Sequence, residues 1–429
     1  LNLGFWILGG VLFFAHALIF NHFLVDIPFS SDWTDLTQAR GFSRELSWQW
    51  LFSTQNNHPR VLHTFLMWVN LALTGGDYTA LMRFNFVCYV LGSAAILVSL
   101  QRRFAVGLGF VFALLASTKA CENLFWANQS SFFQFIFFTY FGLALSLRKT
   151  WASLWSVPCI LLALLSTASG YGAGLIYLGL NLFLVVRDWR DSALVSSIKY
   201  LLQVVIVACV AVIWFRLASF DNSVEQLTMP WTVLFWQGFF NVLSHGFGYD
   251  SVTSVPGVLL FAGLLAGYGL LAKDSVRAGR SAQDSFLFLT AFMGCLLFAV
   301  CAVSAGRMAL GLDFSKSLRY TMYTQFLVPV FWILITRLAE HMPLKLRTPV
   351  LVAAFLACTV SFIDDLNWVK YYRAESADRQ TVAQVVQHFY QGRPAEHVRG
   401  SPHAEDLESR LRYAERLGLR FAQPYLSTN

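Results

Sequence analysis

The feature that most constrains this chain is a series of apolar runs, each about 18–22 residues long, recurring from the first residues to beyond position 360. That length matches the roughly 30 Å of hydrocarbon a helix must cross. A helix satisfies its own backbone groups in lipid, so the runs predict helices. Composition agrees. Of the 429 residues 56% are hydrophobic and only 13% charged, too few charges to cover a water-soluble surface of this size. The expected fold is all-α and polytopic.

Spans are expected at 4–25, 79–100, 104–119, 131–147, 151–168, 171–186, 198–218, 255–272, 285–304, 319–338 and 348–363, roughly eleven in all. The first run lacks a basic leader and a clear cleavage site and is too long for a signal-peptide core, so it reads as a retained helix. The loops then sort by charge. One side carries Arg102, Arg103, Arg148, Lys149, Arg187, Arg190, Lys199, Lys273, Arg277, Arg280, Arg337, Lys345 and Arg347, and is the expected cytoplasmic side. The other holds 26–78, 119–130, 219–254, 305–318 and the tail from Asp364. Val61 to Thr74 is apolar but short and contains His63 and Asn70. Counting it as a span puts Arg102 and Arg103 on the wrong face, so a helix lying along the outer interface is expected there.

The chain thus divides into a membrane domain, 1–363, and a small polar helical tail, 364–429, with too little core to be an enzyme by itself. The net charge of +7 lies in short loops, where topology explains it, and no basic tract with interleaved aromatics points to nucleic acid. Cys88, Cys159, Cys209, Cys295, Cys301 and Cys358 sit in apolar runs. Cys121 does not, and with no Cys-x-x-Cys pair neither a disulfide frame nor a zinc site is indicated.

Chemistry is expected on the outer face, because the basic loops are too short to build a site. Asp26, Asp32 and Asp35 follow the first span directly. A carboxylate in a partly dry cavity can act as a general base, and an aspartate there can equally cap a helix starting near Trp33. Asn56, Asn57, His58 and Arg60 precede the interfacial helix, Pro59 suits its first turn, and Gly75-Gly76 suits its end. Within 119–134, Glu122 is a second candidate acid or base, Trp126 can stack on a sugar ring, and Gln129 and Gln134 bring polarity into a span. Arg307, Lys316 and Arg319 stand at an outer span mouth against the positive-inside trend, with Tyr320 beside them. Such a cluster suits a phosphate, or pairs with Asp313 and tail carboxylates. Ser166 to Gly172 is a tight outer turn whose small residues serve either a ligand or a helical hairpin. The lone His245 in the 219–254 loop is read as structural, and no Walker loop, zinc helix or nucleophile elbow is present.

These marks resemble the GT-C superfamily of membrane glycosyltransferases, which take sugars from polyprenyl-phosphate carriers. The resemblance rests on Asp32-Trp33 after the first span, Asn56-Asn57-His58-Pro59-Arg60, and Gly306-Arg307 followed by Ser317-Leu318-Arg319-Tyr320. Protein mannosyltransferases and lipid A aminoarabinose transferases show a similar order. Asn57 stands where glutamate is expected, and Leu318 separates Ser317 from Arg319. The resemblance implies a GT-C-like membrane domain in a bacterial inner membrane, with a periplasmic site that moves a sugar to the hydroxyl of an exported protein, lipid A or a surface glycan. Asp32 would be the base, with Asp35 and Glu122 as further catalytic candidates. Arg307, Lys316, Arg319 and Tyr320 would hold the donor phosphate, and Trp33, Asn57, His58, Arg60, Trp126 and Gln129 the substrate. The lipid donor is the expected partner, a divalent metal is not expected, and the chain is expected to be a monomer. A transporter or flippase for a lipid-linked or anionic solute is the alternative, and a structural assembly partner a third reading.

Overall fold

A computed structural model describes residues 2–423 except 31, 37–42, 53, 56–57, 102–107, 117–120, 149, 218–226, 248–252, 278–279 and 366. Among the described residues the chain is helical apart from one antiparallel pair of two-residue strands, Thr54–Gln55 and His58–Pro59. Among the described residues seven helices are long and apolar enough to cross a membrane: Leu3–Phe23, Tyr78–Leu97, Ser169–Arg190, Leu194–Trp214, Val255–Ser275, Ala282–Leu310 and Thr321–Glu340. The protein is therefore a multi-pass helical membrane protein.

Of the remaining four expected spans, one lies partly outside the described residues, one is a helix of full length and two are shorter. Of the expected span 104–119 the described part is the helix Leu108–Ala116, with residues on both sides of it outside the described ones, and Ser130–Ser146 has 17 residues. The 151–168 stretch opens with a 3-10 turn, Trp151–Trp155, which leaves only nine α-helical residues in Ser156–Leu164. The helix Leu344–Asp365 is 22 residues long and covers the expected span 348–363, with the side chains of 360–365 outside the described residues.

Position in the bundle follows from which faces are apolar. On the first helix Leu3, Ile7, Val11, Phe14 and Leu18 recur every three or four residues and are all exposed, an outward stripe suited to lipid. His16 and Phe20, on its other face, are buried and meet Tyr372 of the tail. The helix Leu327–Glu340 is the opposite case: Leu327, Val328, Val330, Ile333 and Leu334 are all buried, so it runs through the centre.

Small residues set the closest approaches. A side chain on Gly170 would lie 2.2 Å from the Ala163 carbonyl oxygen, and one on Gly172 would lie 2.0 Å from the Phe298 ring. The 166–172 turn is thus a tightly packed helical hairpin. The helix Val61–Thr74 rises about 21 Å, short of a bilayer crossing. It stops at Gly75, whose left-handed φ of 70° favours glycine and whose N–H reaches the Leu71 carbonyl. Pro59 falls in the second short strand, outside that helix, because His58–Pro59 pairs with Thr54–Gln55.

Hydrogen bonds divide the loops between two ends of the bundle. At one end Leu62 N–H donates to the Leu165 carbonyl, Thr228 N–H to Ala305, Arg420 N–H to Gly75, and the Asn123 amide to Arg319. At the other, Arg187 pairs with Asp284 at 2.7 Å and His341 with Asp274 at 2.8 Å. The tail closes over the first end as the helices Asn367–Tyr390 and Ala404–Leu417. Buried Arg379 fastens it by donating to the carbonyls of Ile27, at 2.9 Å, and Phe125, at 2.5 Å.

Candidate functional site

The tail-covered end carries the charged and polar groups that packing alone does not require. Its centre is the segment 121–129. A five-residue helix, Cys121–Phe125, breaks at Trp126, whose extended backbone (φ −97°, ψ 115°) turns the chain into the 3-10 turn Ala127–Gln129. Buried Asn85 holds the break by donating its side-chain amide to the carbonyls of Asn123, at 3.3 Å, and Trp126, at 3.2 Å. Asn123 in turn donates to the Arg319 carbonyl at 2.8 Å, joining this segment to 318–320.

That junction brings a carboxylate, a guanidinium and an aromatic ring together. The Glu122 carboxylate lies 3.7 Å from the Arg319 Nε; the glutamate side chain is 10% exposed and the arginine 40%. The same guanidinium sits 5.8 Å from the Trp126 ring centre and donates to Ser317 Oγ at 2.8 Å. Burial raises the proton affinity of Glu122, Arg319 opposes the rise, and the charge of Glu375 adds to it. Tyr320 is buried beside this pair in hydrogen-bonding contact with Arg307, and burial pushes its hydroxyl above the usual range against the pull of Arg319 and Arg307.

Asp32 occupies the other side of the segment. It is buried, with one oxygen accepting the Asn128 N–H at 2.9 Å and the other the Phe29 N–H at 3.2 Å. Arg60 donates to the Asn128 carbonyl at 3.1 Å, so the backbone is held on both sides of the Asn128 Cα. Trp33 is buried edge-on to Phe421, and its carbonyl accepts from Arg410. His63 bonds Ser130 Oγ at 2.6 Å.

Lys316 turns away from the cluster to Asp313, 2.7 Å distant on the surface. The 312–316 turn is braced from behind by the helix Val233–Ser244 and the turn after it. Asn241 donates to Ser315 Oγ at 3.1 Å and His245 bonds the Ser315 carbonyl at 2.8 Å, a structural use of that histidine. Gln129 is buried, and its side-chain oxygen has no protein partner among the described residues. The same holds for the side-chain oxygens of Asn85 and Asn123. Gln134 is fully buried with both side-chain polar atoms in that state. Asn57 lies outside the described residues, as do the side chains of Asp35 and His58.

The tail supplies groups that the sequence reading passed over. Glu375 is 3% exposed; it accepts from the Trp126 indole N–H at 3.4 Å and faces Arg399 at 3.8 Å. Burial raises its proton affinity, with Arg379 the largest opposing influence. Arg379 carries its charge next to Asp32 and Glu375. The only sequence signal for these residues is charge at helical spacing, which a solvated helix shows equally.

Among the described residues no three His, Cys, Asp or Glu side chains group so as to hold a metal ion. No known protein family, no curated protein and no solved structure matches the chain.

Proposed function

We propose that the protein transfers a sugar from a polyprenyl-phosphate carrier to an acceptor hydroxyl at the outer face of a bacterial inner membrane. The observation that carries this reading is the grouping of Glu122, Arg319 and Trp126 at one end of a membrane bundle. A lipid-linked phosphosugar presents a phosphate at the membrane surface, a ring to stack, and a carbon open to attack. Arg319, with Arg307 and Tyr320 beside it, suits the phosphate. Trp126 suits the sugar face. Buried amide oxygens of Asn85, Asn123 and Gln129 border the same segment and need hydrogen-bond donors, which sugar hydroxyls or water provide.

In the reaction, the acceptor oxygen bonds to the anomeric carbon as the bond from that carbon to the phosphate oxygen breaks. The acceptor proton passes to Glu122, and polyprenyl phosphate leaves with the bonding electrons. Its charge needs no proton if the guanidinium groups stabilise it. A phosphate drawn to Arg319 also weakens that arginine's hold on Glu122, making the carboxylate a stronger base when donor is bound. Asp32 is assigned to holding the 126–128 turn, because its oxygens already accept two backbone N–H groups.

The test compares surface glycoconjugates and exported proteins, by mass spectrometry, from cells with the gene, without it, and with Glu122→Gln or Asp32→Asn. A sugar missing from the deletion strain is the expected result. Glu122→Gln should lower transfer by about 10²–10⁴-fold with little change in thermal stability. Asp32→Asn should lower stability and transfer together. An Asp32→Asn protein of normal stability without transfer would return the base role to Asp32. Identical glycans with and without the gene would sink the transferase reading.

A further inference from the structure

Glu375 belongs to the tail helix Asn367–Tyr390, more than 240 residues from Trp126 in sequence, yet its carboxylate accepts the indole N–H. The tryptophan is thereby held from two directions, with Arg319 against its ring and Glu375 at its nitrogen. An indole has one N–H, so a single acceptor fixes the rotation of the ring within its plane. A glutamate side chain 3% exposed is costly to desolvate, and surface function does not require it. Arg399, 74% exposed, reaches over it to Asp378 at 3.1 Å and contacts Glu375 from the solvent side. Arg379 anchors the same helix turn to the 125 carbonyl, one residue before Trp126. The tail helix is thus tied to the platform residue and to the backbone beside it.

We infer that Glu375 is a positioning residue that orients Trp126 to receive the sugar ring, so that the C-terminal tail completes the ligand site. This rests on the sugar-transfer reading above. It separates two parts of one ligand: the phosphate belongs to Arg319, Arg307 and Tyr320 of the membrane domain, and the sugar to a ring held in place by the tail.

The full-length protein in detergent is titrated with two probes, undecaprenyl phosphate and undecaprenyl phosphate carrying a hexose or a pentose. Wild type should bind the better sugar-bearing lipid more tightly than the bare phosphate. Glu375→Leu should weaken the sugar-bearing lipid about tenfold while leaving the bare phosphate within about twofold. Glu375→Gln, which keeps an acceptor for the indole, should restore wild-type discrimination. Trp126→Phe, which removes the N–H, should lose it, and adding Glu375→Leu to Trp126→Phe should cost little more. Equal loss for both probes in Glu375→Leu, or no loss for either, overturns the positioning role. Wild type that binds neither probe, or does not distinguish them, overturns the sugar-transfer reading first and this inference with it.

Discussion

The two ends of the bundle are built from the same residue types and use them differently. At the end of Arg187, the chain turns between Arg190 and Leu194 and between Glu340 and Leu344; Arg187 bridges buried Asp188 at 3.3 Å and buried Asp284 at 2.7 Å, and His341 pairs with Asp274 in the open. At the end of Glu122, long segments and the tail enclose Asp32, Glu122, Glu375 and Arg379, all buried. Buried charges need partners, and each one left unpaired costs several kcal/mol. The buried charges around Arg187 find their partners close by, one of them the next residue along the chain. What distinguishes the second end is that its buried charges join segments as far apart as residues 27, 125 and 379.

The comparison breaks most visibly at Arg379. Its guanidinium bonds two carbonyls from separate segments and balances buried Asp32 and Glu375. Arg379→Ala should therefore lower stability by about 3–5 kcal/mol, read as a large fall in thermal midpoint in detergent. Arg187→Ala, at the other end, removes a side chain 14% exposed that bridges Asp188 and Asp284, and should cost less, about 1–3 kcal/mol. If the two variants melt together, the joining of distant segments is not what distinguishes the tail-covered end.

Much of the membrane architecture could be read from residues alone, because apolar length and loop charge act locally. The halt at Gly75 was legible for the same reason: a left-handed residue is a local demand. Glu122 and Arg319 stood out separately, each as a charge beside a span, but nothing in the sequence measured the 3.7 Å between them. Asp32 could be seen, but not that it accepts the N–H groups of Phe29 and Asn128, which come from segments far apart in the chain. Glu375 and Arg379 were illegible. Their helix has the polar periodicity of a solvated one, and their burial is decided by carbonyls at positions 27 and 125 that no local pattern announces.

A second, smaller effect concerns the junction where the tail meets the start of the bundle. Asp26 accepts the Tyr78 N–H at 2.8 Å, and Arg420 bridges Asp26 at 3.6 Å and Asp77 at 2.7 Å. Burial, then the charge of Asp77, raise the Asp26 pKa to about 6. The folded protein therefore holds the proton more tightly than the unfolded chain, whose aspartate titrates near 4. The contribution is fully present below about pH 4 and is lost as pH rises through about 6, so this group favours folding at pH 5 over pH 7 by about 1–2 kcal/mol. Thermal midpoints of wild type and Asp26→Asn across that window isolate it. The difference between the two proteins should change with pH in this sense, and a constant difference would remove Asp26 from the account.

The smallest effect should come from Lys316, and it tests whether burial or mere position makes a charge matter at this end. Lys316 stands three residues from Arg319, yet its partner Asp313 is 89% exposed and the pair lies in water. Exposed pairs contribute little, because solvent screens the attraction and ordering two long side chains offsets what remains. Lys316→Ala should leave the thermal midpoint almost unchanged and weaken undecaprenyl phosphate binding by less than about threefold. Arg319→Ala, removing a guanidinium already oriented by Ser317 Oγ beside the Trp126 ring, should weaken it by about tenfold or more. Should the two variants lose affinity equally, the phosphate would be held by diffuse positive potential along 307–319. The oriented contact at Arg319 would then lose its part in the site.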